Sequence, residues 1–229
     1  MSLLSTKQRP IRSFVRRQGR FTPGQQRAWQ YHWPLIGIDD QALLTSMTEY
    51  FGRDAPLVVE IGFGRGDSLV AMADNYPHYN FLGIEVHLPG IGACLAASQQ
   101  TGISNLRLIQ QDAQVVFEER LPDASIDRLQ LFFPDPWPKK RHHKRRLVQT
   151  PFLDLAHRKL KLGGLLHLAT DWLPYAQQML DLLQQHPGYL NVADQGGYLP
   201  RPEWRALTKF EQRGQRLGHG VWDLLFQRC

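Results

Sequence analysis

Short apolar runs alternate with stretches of helical spacing along most of the chain. Residues 57–61, 80–85, 106–111, 126–133 and 165–169 each read as a strand of buried-sheet length. Helical spacing predicts a helix over 40–51, with Leu43, Leu44, Met47 and Tyr50 on one face. Further helices are expected over 67–75 and 88–101, and over 172–185 up to Pro187-Gly188. Another opens at Thr150-Pro151, a capping hydroxyl and a first-turn proline, and stops at Gly163-Gly164. Strands alternating with helices predict an α/β fold, a doubly wound, Rossmann-like, mostly parallel sheet covered on both faces. Residues 189–192 and 221–226, with no full helix between them, predict an antiparallel hairpin at one edge.

Charge changes this picture most. The 229 residues carry 27 Lys and Arg against 21 Asp and Glu, net +6. Residues 1–38 hold seven of those cations (Lys7, Arg9, Arg12, Arg16, Arg17, Arg20, Arg27) and no acid. Residues 139–146 hold six more, so 14 cations face 21 acids elsewhere, net −7. An acidic body with two cationic appendages is the footprint of a polyanion binder. The expected division is a basic RNA-binding arm over 1–38, mobile in part, and one domain over 39–229. An Arg-rich start also fits a mitochondrial transit peptide, but Pro10, Gly19, Pro23 and Gly24 interrupt a long amphipathic helix. No apolar run approaches the ~18 residues of a membrane span, which predicts a soluble protein. The two cysteines, Cys94 and Cys229, form no metal-type pair and suit a reducing compartment. No metal is expected, and a cytoplasmic monomer is, with a homodimer as the alternative.

Glu60-Ile61-Gly62-Phe63-Gly64-Arg65-Gly66 leaves a strand and opens a helix. Its spacing is Gly-x-Gly-x-Gly, not the G-x-G-x-x-G of dinucleotide sites. Glu60 would repel a pyrophosphate but tolerate a zwitterionic amino acid beside a sulfonium. Glu85 ends the second strand, where a carboxylate reaches ribose hydroxyls, and Asp112 follows the third, placed for an adenine amine. Three acids at successive strand ends suit S-adenosyl-L-methionine better than NAD.

The strand over 126–133 runs into Pro134-Asp135-Pro136-Trp137-Pro138, which can be neither helix nor ladder. A rigid carboxylate flanked by aromatic rings and followed by phosphate-binding charge suggests chemistry on a nucleobase. The competing reading is a proline-punctuated turn beside a solvated charge run.

From Arg12 to about Phe226 the chain resembles the tRNA (guanine-N7-)-methyltransferase family, of the single-chain bacterial type. The resemblance rests on the segment 12–20, the loop from Glu60 to Gly66, and Gly83-Ile84-Glu85-Val86-His87. It continues through Phe132-Phe133-Pro134-Asp135-Pro136-Trp137 with its basic tail, Thr170-Asp171, and Thr208-Lys209-Phe210-Glu211. The glycine loop is generic to class I methyltransferases; Pro-Asp-Pro-Trp with Thr-Lys-Phe-Glu is far more specific. The resemblance implies that Glu60, Glu85, Asp112 and Asp135 contact the cofactor beside Gly62, Gly64 and Gly66, with Asp135 also catalytic. It further implies a substrate site of Lys139, Asp171, Thr208, Lys209, Phe210 and Glu211. Arg141, His142, His143, Lys144, Arg145 and Arg146 would touch RNA, and the acceptor would be guanosine 46 of the tRNA variable loop. Two alternatives are a methyltransferase acting on another RNA, a protein or a small molecule, and a non-catalytic RNA-binding scaffold.

Guanine N7 carries an in-plane lone pair, so its methylation needs no general base, and Asp135 is expected to orient groups and stabilise moving positive charge. Asp135 and Asp171 follow neighbouring strands about 4.8 Å apart and could both face one guanine. Trp137 and Phe210 are candidate stacking surfaces for an extruded base.

Overall fold

The computed structural model describes residues 13–14, 19–39, 41–216, 218 and 220–229. Lys7, Arg9, Arg12, Arg16 and Arg17 of the basic arm lie outside them, as do the side chains of Lys209 and Phe210. In chain order the elements begin α1 (Pro23–Ile36), β1 (Gly37–Ile38), α2 (Met47–Phe51), β2 (Leu57–Ile61) and α3 (Asp67–Asn75). They continue with β3 (Asn80–Glu85), α4 (Leu88–Thr101), β4 (Leu106–Gln110), α5 (Ala113–Glu119) and β5 (Ile126–Phe132). A 3-10 turn (Lys140–Arg145) leads to α6 (Thr150–Lys159), β6 (Leu160–Thr170), α7 (Leu173–Gln185), β7 (Tyr189–Asn191), α8 (Lys209–Arg216) and β8 (Trp222–Arg228).

The eight strands form one sheet in the order β1-β4-β3-β2-β5-β6-β8-β7. β1 to β6 pair in parallel, whereas β8 runs antiparallel to both β6 and β7. The chain winds outward from β2 in both directions, so the boundary between β2 and β5 is the switch point where such sheets open a crevice. Every residue of β2 and β3 is buried, because helices cover both faces. Val59, Leu82 and Ile109 point into the layer shared with α5, α6 and α7; Val58, Phe81 and Leu108 point into the layer of α1, α3 and α4. No helix among the described residues is long and apolar enough to cross a membrane.

The predicted strands form the sheet, joined by the unpredicted β1, and several local departures follow. The expected helix over 40–51 shrinks to Met47–Phe51. Upstream of it, Arg120 Nε donates to the Ala42 carbonyl at 2.8 Å, and the Leu44 amide donates to the Arg120 carbonyl at 3.1 Å. Those backbone groups serve a loop that buries Leu44 completely. In the basic segment, Pro23 opens α1 where its missing N–H costs nothing, and Thr22 with Gln25 closes a reciprocal capping box. α1 lies on α4, where Gln25 Nε2 donates to the Pro89 carbonyl at 3.0 Å. α6 ends at Lys159, and Gly163, at φ 77°, sits inside β6 beside a register shift against β5. Finally, α8 lies between the two closing strands, contrary to expectation.

Arg120 also donates to the Asp39 carbonyl, so it fixes both ends of the loop before α2. Arg120→Met should cost about 3 kcal/mol, from charged hydrogen bonds worth roughly 1.5–3 kcal/mol each. Urea unfolding measures the loss, and amides 41–46 should lose hydrogen-exchange protection before the sheet does.

Candidate active site

A cavity of about 240 Å³ opens at the switch point, walled by the ends of β2 to β5. Glu85, Asp112 and Asp135 line it together, as does Gly62. Ser13 and Phe14 of the basic segment also line it, which the motifs alone did not indicate.

The glycine loop is glycine for a backbone reason. Gly62, Gly64 and Gly66 lie at φ 71°, 59° and 76°, a region that side-chain-bearing residues rarely adopt. A Cβ on Gly62 or Gly64 would meet open space, so both leave room for a ligand against bare backbone. A Cβ on Gly66 would fall 2.4 Å from Cys94 Sγ, and one on Gly90 would fall 2.2 Å from the Gly64 carbonyl oxygen. These contacts press the loop onto α4.

Glu85 fastens the loop from the next strand. Its Oε2 accepts from the Gly64 amide at 2.9 Å, and its Oε1 accepts from Val86 and His87 at 2.7 and 2.9 Å. A carboxylate offers about four acceptor positions, so one remains on Oε2 for a ligand hydroxyl. Two were expected to be available, and the backbone occupies the others. Asp112 caps α5, accepting from the Gln114 amide on Oδ1 at 3.0 Å, and lines the cavity. The sequence pattern gave no sign of α5 or of this cap.

Asp135 is exposed at the cavity rim, on a bend under strain. Phe133 and Trp137, two residues to either side, lie at φ 52° and 44°. For bulky side chains such conformations cost of order 1–3 kcal/mol each and persist only where the surroundings impose them. Three contacts impose them here. The Phe133 amide donates to the Ala169 carbonyl at 2.7 Å, and Trp137 Nε1 donates to the Ser13 carbonyl at 3.0 Å. Arg146 Nε donates to the Pro136 carbonyl at 2.8 Å.

Arg146 therefore departs from its expected role. It is buried, lies over the Tyr175 ring at 4.7 Å and donates to Gln178 Oε1. It braces the bend from inside, while Lys139, Lys140, Arg141 and Lys144 are exposed and His142 and His143 half-buried. Arg145 lies over the Trp137 ring at 3.8 Å, so one face of the expected stacking platform is already covered. A second cavity of about 190 Å³ adjoins the first, sharing Ser13, Asp112 and Leu147, with Lys144 and Arg145 in its wall.

Other predicted residues stand apart from the cavity lining: Glu60, Gly64, Gly66, Lys139, Asp171, Thr208 and Glu211. Asp171 directly follows β6, whose Ala169 pairs with Phe132, so it leaves the sheet beside the Asp135 bend. Glu60 is buried within β2, and its Oε2 has no hydrogen-bond partner among the described residues. Burial pushes its carboxyl up to about 8; nearby Arg128 opposes this and Glu85 adds to it. Thr208 caps α8, its Oγ1 accepting from the Glu211 amide at 3.1 Å, and Glu211 is buried against Arg205. No motif pointed to Arg205.

Three comparisons bear on this crevice. Residues 54–224 match a family described as putative methyltransferases. The tRNA (guanine-N(7)-)-methyltransferase of Yersinia pestis (strain Pestoides F) is 60% identical over 220 residues, 96% of this chain and 92% of that one. That of Serratia proteamaculans (strain 568) is likewise 60% identical, with the same coverage. Among solved structures, the 16S rRNA methyltransferase KamB superposes with a TM-score of 0.56 at 18% identity, over 84% of this chain and 97% of its own. A precorrin-6y C5,15-methyltransferase from Geobacter metallireducens GS-15 gives 0.51 at 18% identity, over 85% and 100%. Those two share only the fold, and their named acceptors differ. The sequence relatives are much more similar, and with the family match they decide the matter: this chain belongs to the methyltransferase family of the bacterial tRNA (guanine-N(7)-)-methyltransferases.

Proposed function

We propose that this chain methylates N7 of a guanine in tRNA, at position 46 of the variable loop, as a cytoplasmic monomer using S-adenosyl-L-methionine. One observation carries the reading. An exposed carboxylate on a strained bend, Asp135, stands at the mouth of an acid-lined cavity and adjoins a row of exposed cations. The relatives named for this reaction support the acceptor.

The cavity suits the cofactor in its donor set. Gly62 offers unobstructed backbone in the lining, Glu85 keeps one acceptor position, and Asp112 stands beside Gln111 there. The bound cofactor would supply a methyl group made electrophilic by its sulfonium. The residues then have to place guanine N7 in line with that methyl and hold it there. Proximity and orientation of this kind supply roughly 7–11 kcal/mol. Asp135 orients the base and stabilises the positive charge that develops on the purine, and Asp171, beside the same bend, adds a second acceptor for the guanine edge. No proton has to leave N7, so neither acid acts as an obligatory base.

Lys139, Lys140, Arg141, Lys144 and Arg145 hold the RNA backbone around the extruded nucleotide, since the narrow A-form major groove hides the N7 edge. The second cavity gives that backbone a place beside the donor site. Lys209 and Phe210 belong to the same acceptor site in this reading.

Incubation with the cofactor and a tRNA transcript should yield 7-methylguanosine on nucleoside analysis, and changing guanosine 46 to adenosine should abolish it. Label on another base or on protein would overturn the reading. Asp135→Ala should lower kcat by about 10²-fold, with cofactor binding still measurable by calorimetry. Replacing Lys140, Arg141 and Lys144 by alanine should reduce the salt dependence of tRNA binding, by about 0.7–0.9 in log–log slope for each phosphate no longer neutralised. Arg146→Met should leave that slope intact and lower the melting temperature instead.

Glu60 generates a pH dependence of its own. Its folded-state carboxyl titrates near 8 against an ordinary 4.5, so the native state alone keeps the proton across that window. Wild-type stability, measured without cofactor, should therefore fall as pH rises through it. Glu60→Gln removes the dependence, so the variant should gain on wild type between pH 5 and pH 8 in urea midpoints. Parallel curves would mean that Glu60 is ionised in the free protein.

A further inference from the structure

Beneath the Asp135 bend lies a buried charge cluster in which Glu211 of the Thr-Lys-Phe-Glu motif meets two residues outside any motif, Arg205 and Asp223. Arg205, Glu211 and Asp223 are 1%, 2% and 1% exposed. Arg205 Nη1 and Nη2 donate to Glu211 Oε2 and Oε1, both at 2.7 Å. Its Nε and Nη2 donate to Asp223 Oδ1 and Oδ2 at 2.7 and 2.9 Å. Four of five guanidinium N–H groups thus fill both oxygens of two carboxylates, a fork that lysine cannot reproduce. The same guanidinium lies 5.7 Å from the ring centres of both Phe132 and Phe133, the residues that lead into Pro134-Asp135. Asp223 is anchored in the sheet, paired in β8 with Ala169 of β6 and accepting from His167 Nε2 at 2.8 Å.

Thr208 and Glu211 have the spacing of a capping box, in which the carboxylate would reach back to the cap amide. Only the hydroxyl half forms, because Glu211 has turned to Arg205. Buried and with both oxygens engaged, Glu211 has no surface to offer a nucleobase. Its place in the acceptor segment needs another explanation.

We propose that Arg205 is a positioning residue that fixes the acceptor segment 208–211 against the strand end carrying Asp135, and that Glu211 serves methyl transfer through Arg205 without touching the base. This rests on the functional reading above. Asp223 forms the sheet-side end of the clamp. The chain of contacts runs Glu211–Arg205–Asp223, with Phe132 and Phe133 packed against its middle.

The test is a kinetic double-mutant cycle with Arg205→Lys and Glu211→Gln, on wild-type tRNA transcript with saturating cofactor. Each single variant should lower kcat about tenfold or more while cofactor affinity by calorimetry stays unchanged, and the double variant should be no slower than the worse single. Hydrogen exchange at amides 208–212 should quicken in both singles. A double variant whose loss is the product of the two singles would overturn the proposal. So would Glu211→Gln raising KM for tRNA with kcat intact, the signature of direct contact with the bound base. If Arg205→Lys does not fold, Asp223→Asn takes its place in the cycle. The described contacts connect Asp223 to Glu211 through Arg205, so additivity between those two would count against the clamp. Should the wild-type enzyme make no 7-methylguanosine, the functional reading fails separately, and the exchange rates at 208–212 still decide whether Arg205 holds the segment.

Discussion

A backbone that turns left-handed at two bulky residues within five positions cannot hold itself in place. Phe133 and Trp137 adopt that conformation on either side of Asp135, and the prolines at 134, 136 and 138 forbid a relaxed alternative by helix or ladder. The surroundings therefore have to fix the bend from several directions. β6 fixes its entry through the Ala169 carbonyl, Arg146 grips its middle at Pro136, and the basic segment closes its exit through Ser13. Much of the charged periphery is organised around this requirement. Arg146 is withdrawn from the surface to meet it, and Arg145 lies on Trp137.

The glycine-loop side of the crevice obeys a different constraint, close approach. Three glycines in left-handed conformation let the loop pass between β2 and α4, and Glu85 ties the loop to β3 with a single carboxylate. The two constraints meet at the switch point, where β2 and β5 are neighbours. The glycine loop and the strained bend are thus held by adjacent strands of one rigid sheet, as the proposed in-line transfer would demand of a scaffold.

The strands and the glycine loop were legible because burial on both faces leaves unbroken apolar runs, and because a tight strand-to-helix turn needs glycine. Acids at strand ends were legible for a similar reason: topology fixes where such ends converge. Other features carried no local signal. α8 has a single apolar residue, Phe210, so hydrophobic periodicity could not announce it, although Thr208 and Glu211 held its capping spacing. The helical pattern over 40–51 was real, but Arg120, some 75 residues downstream, claims the backbone groups its first turns would need. Arg146 is indistinguishable in sequence from the cations beside it, and its burial depends on Tyr175 and Gln178 of α7. Arg205 reads as an ordinary loop cation until the fold brings two carboxylates to it.

The same part of the sheet also holds the buried carboxyl of Glu60. One row across the sheet holds Glu60, Gln130 and His167 in register, with Arg128 two residues before Gln130 on the same face. Arg205 is a buried cation between the buried anions Glu211 and Asp223, and half-buried Arg128 lies over the Tyr79 and Trp204 rings. His167 donates to Asp223 through Nε2 and accepts from Trp204 through Nδ1, the pattern of a neutral ring, and burial holds its pKa below the usual value. Glu60 has no hydrogen-bond partner on Oε2 among the described residues, and burial outweighs the attraction of Arg128, so the carboxyl keeps its proton.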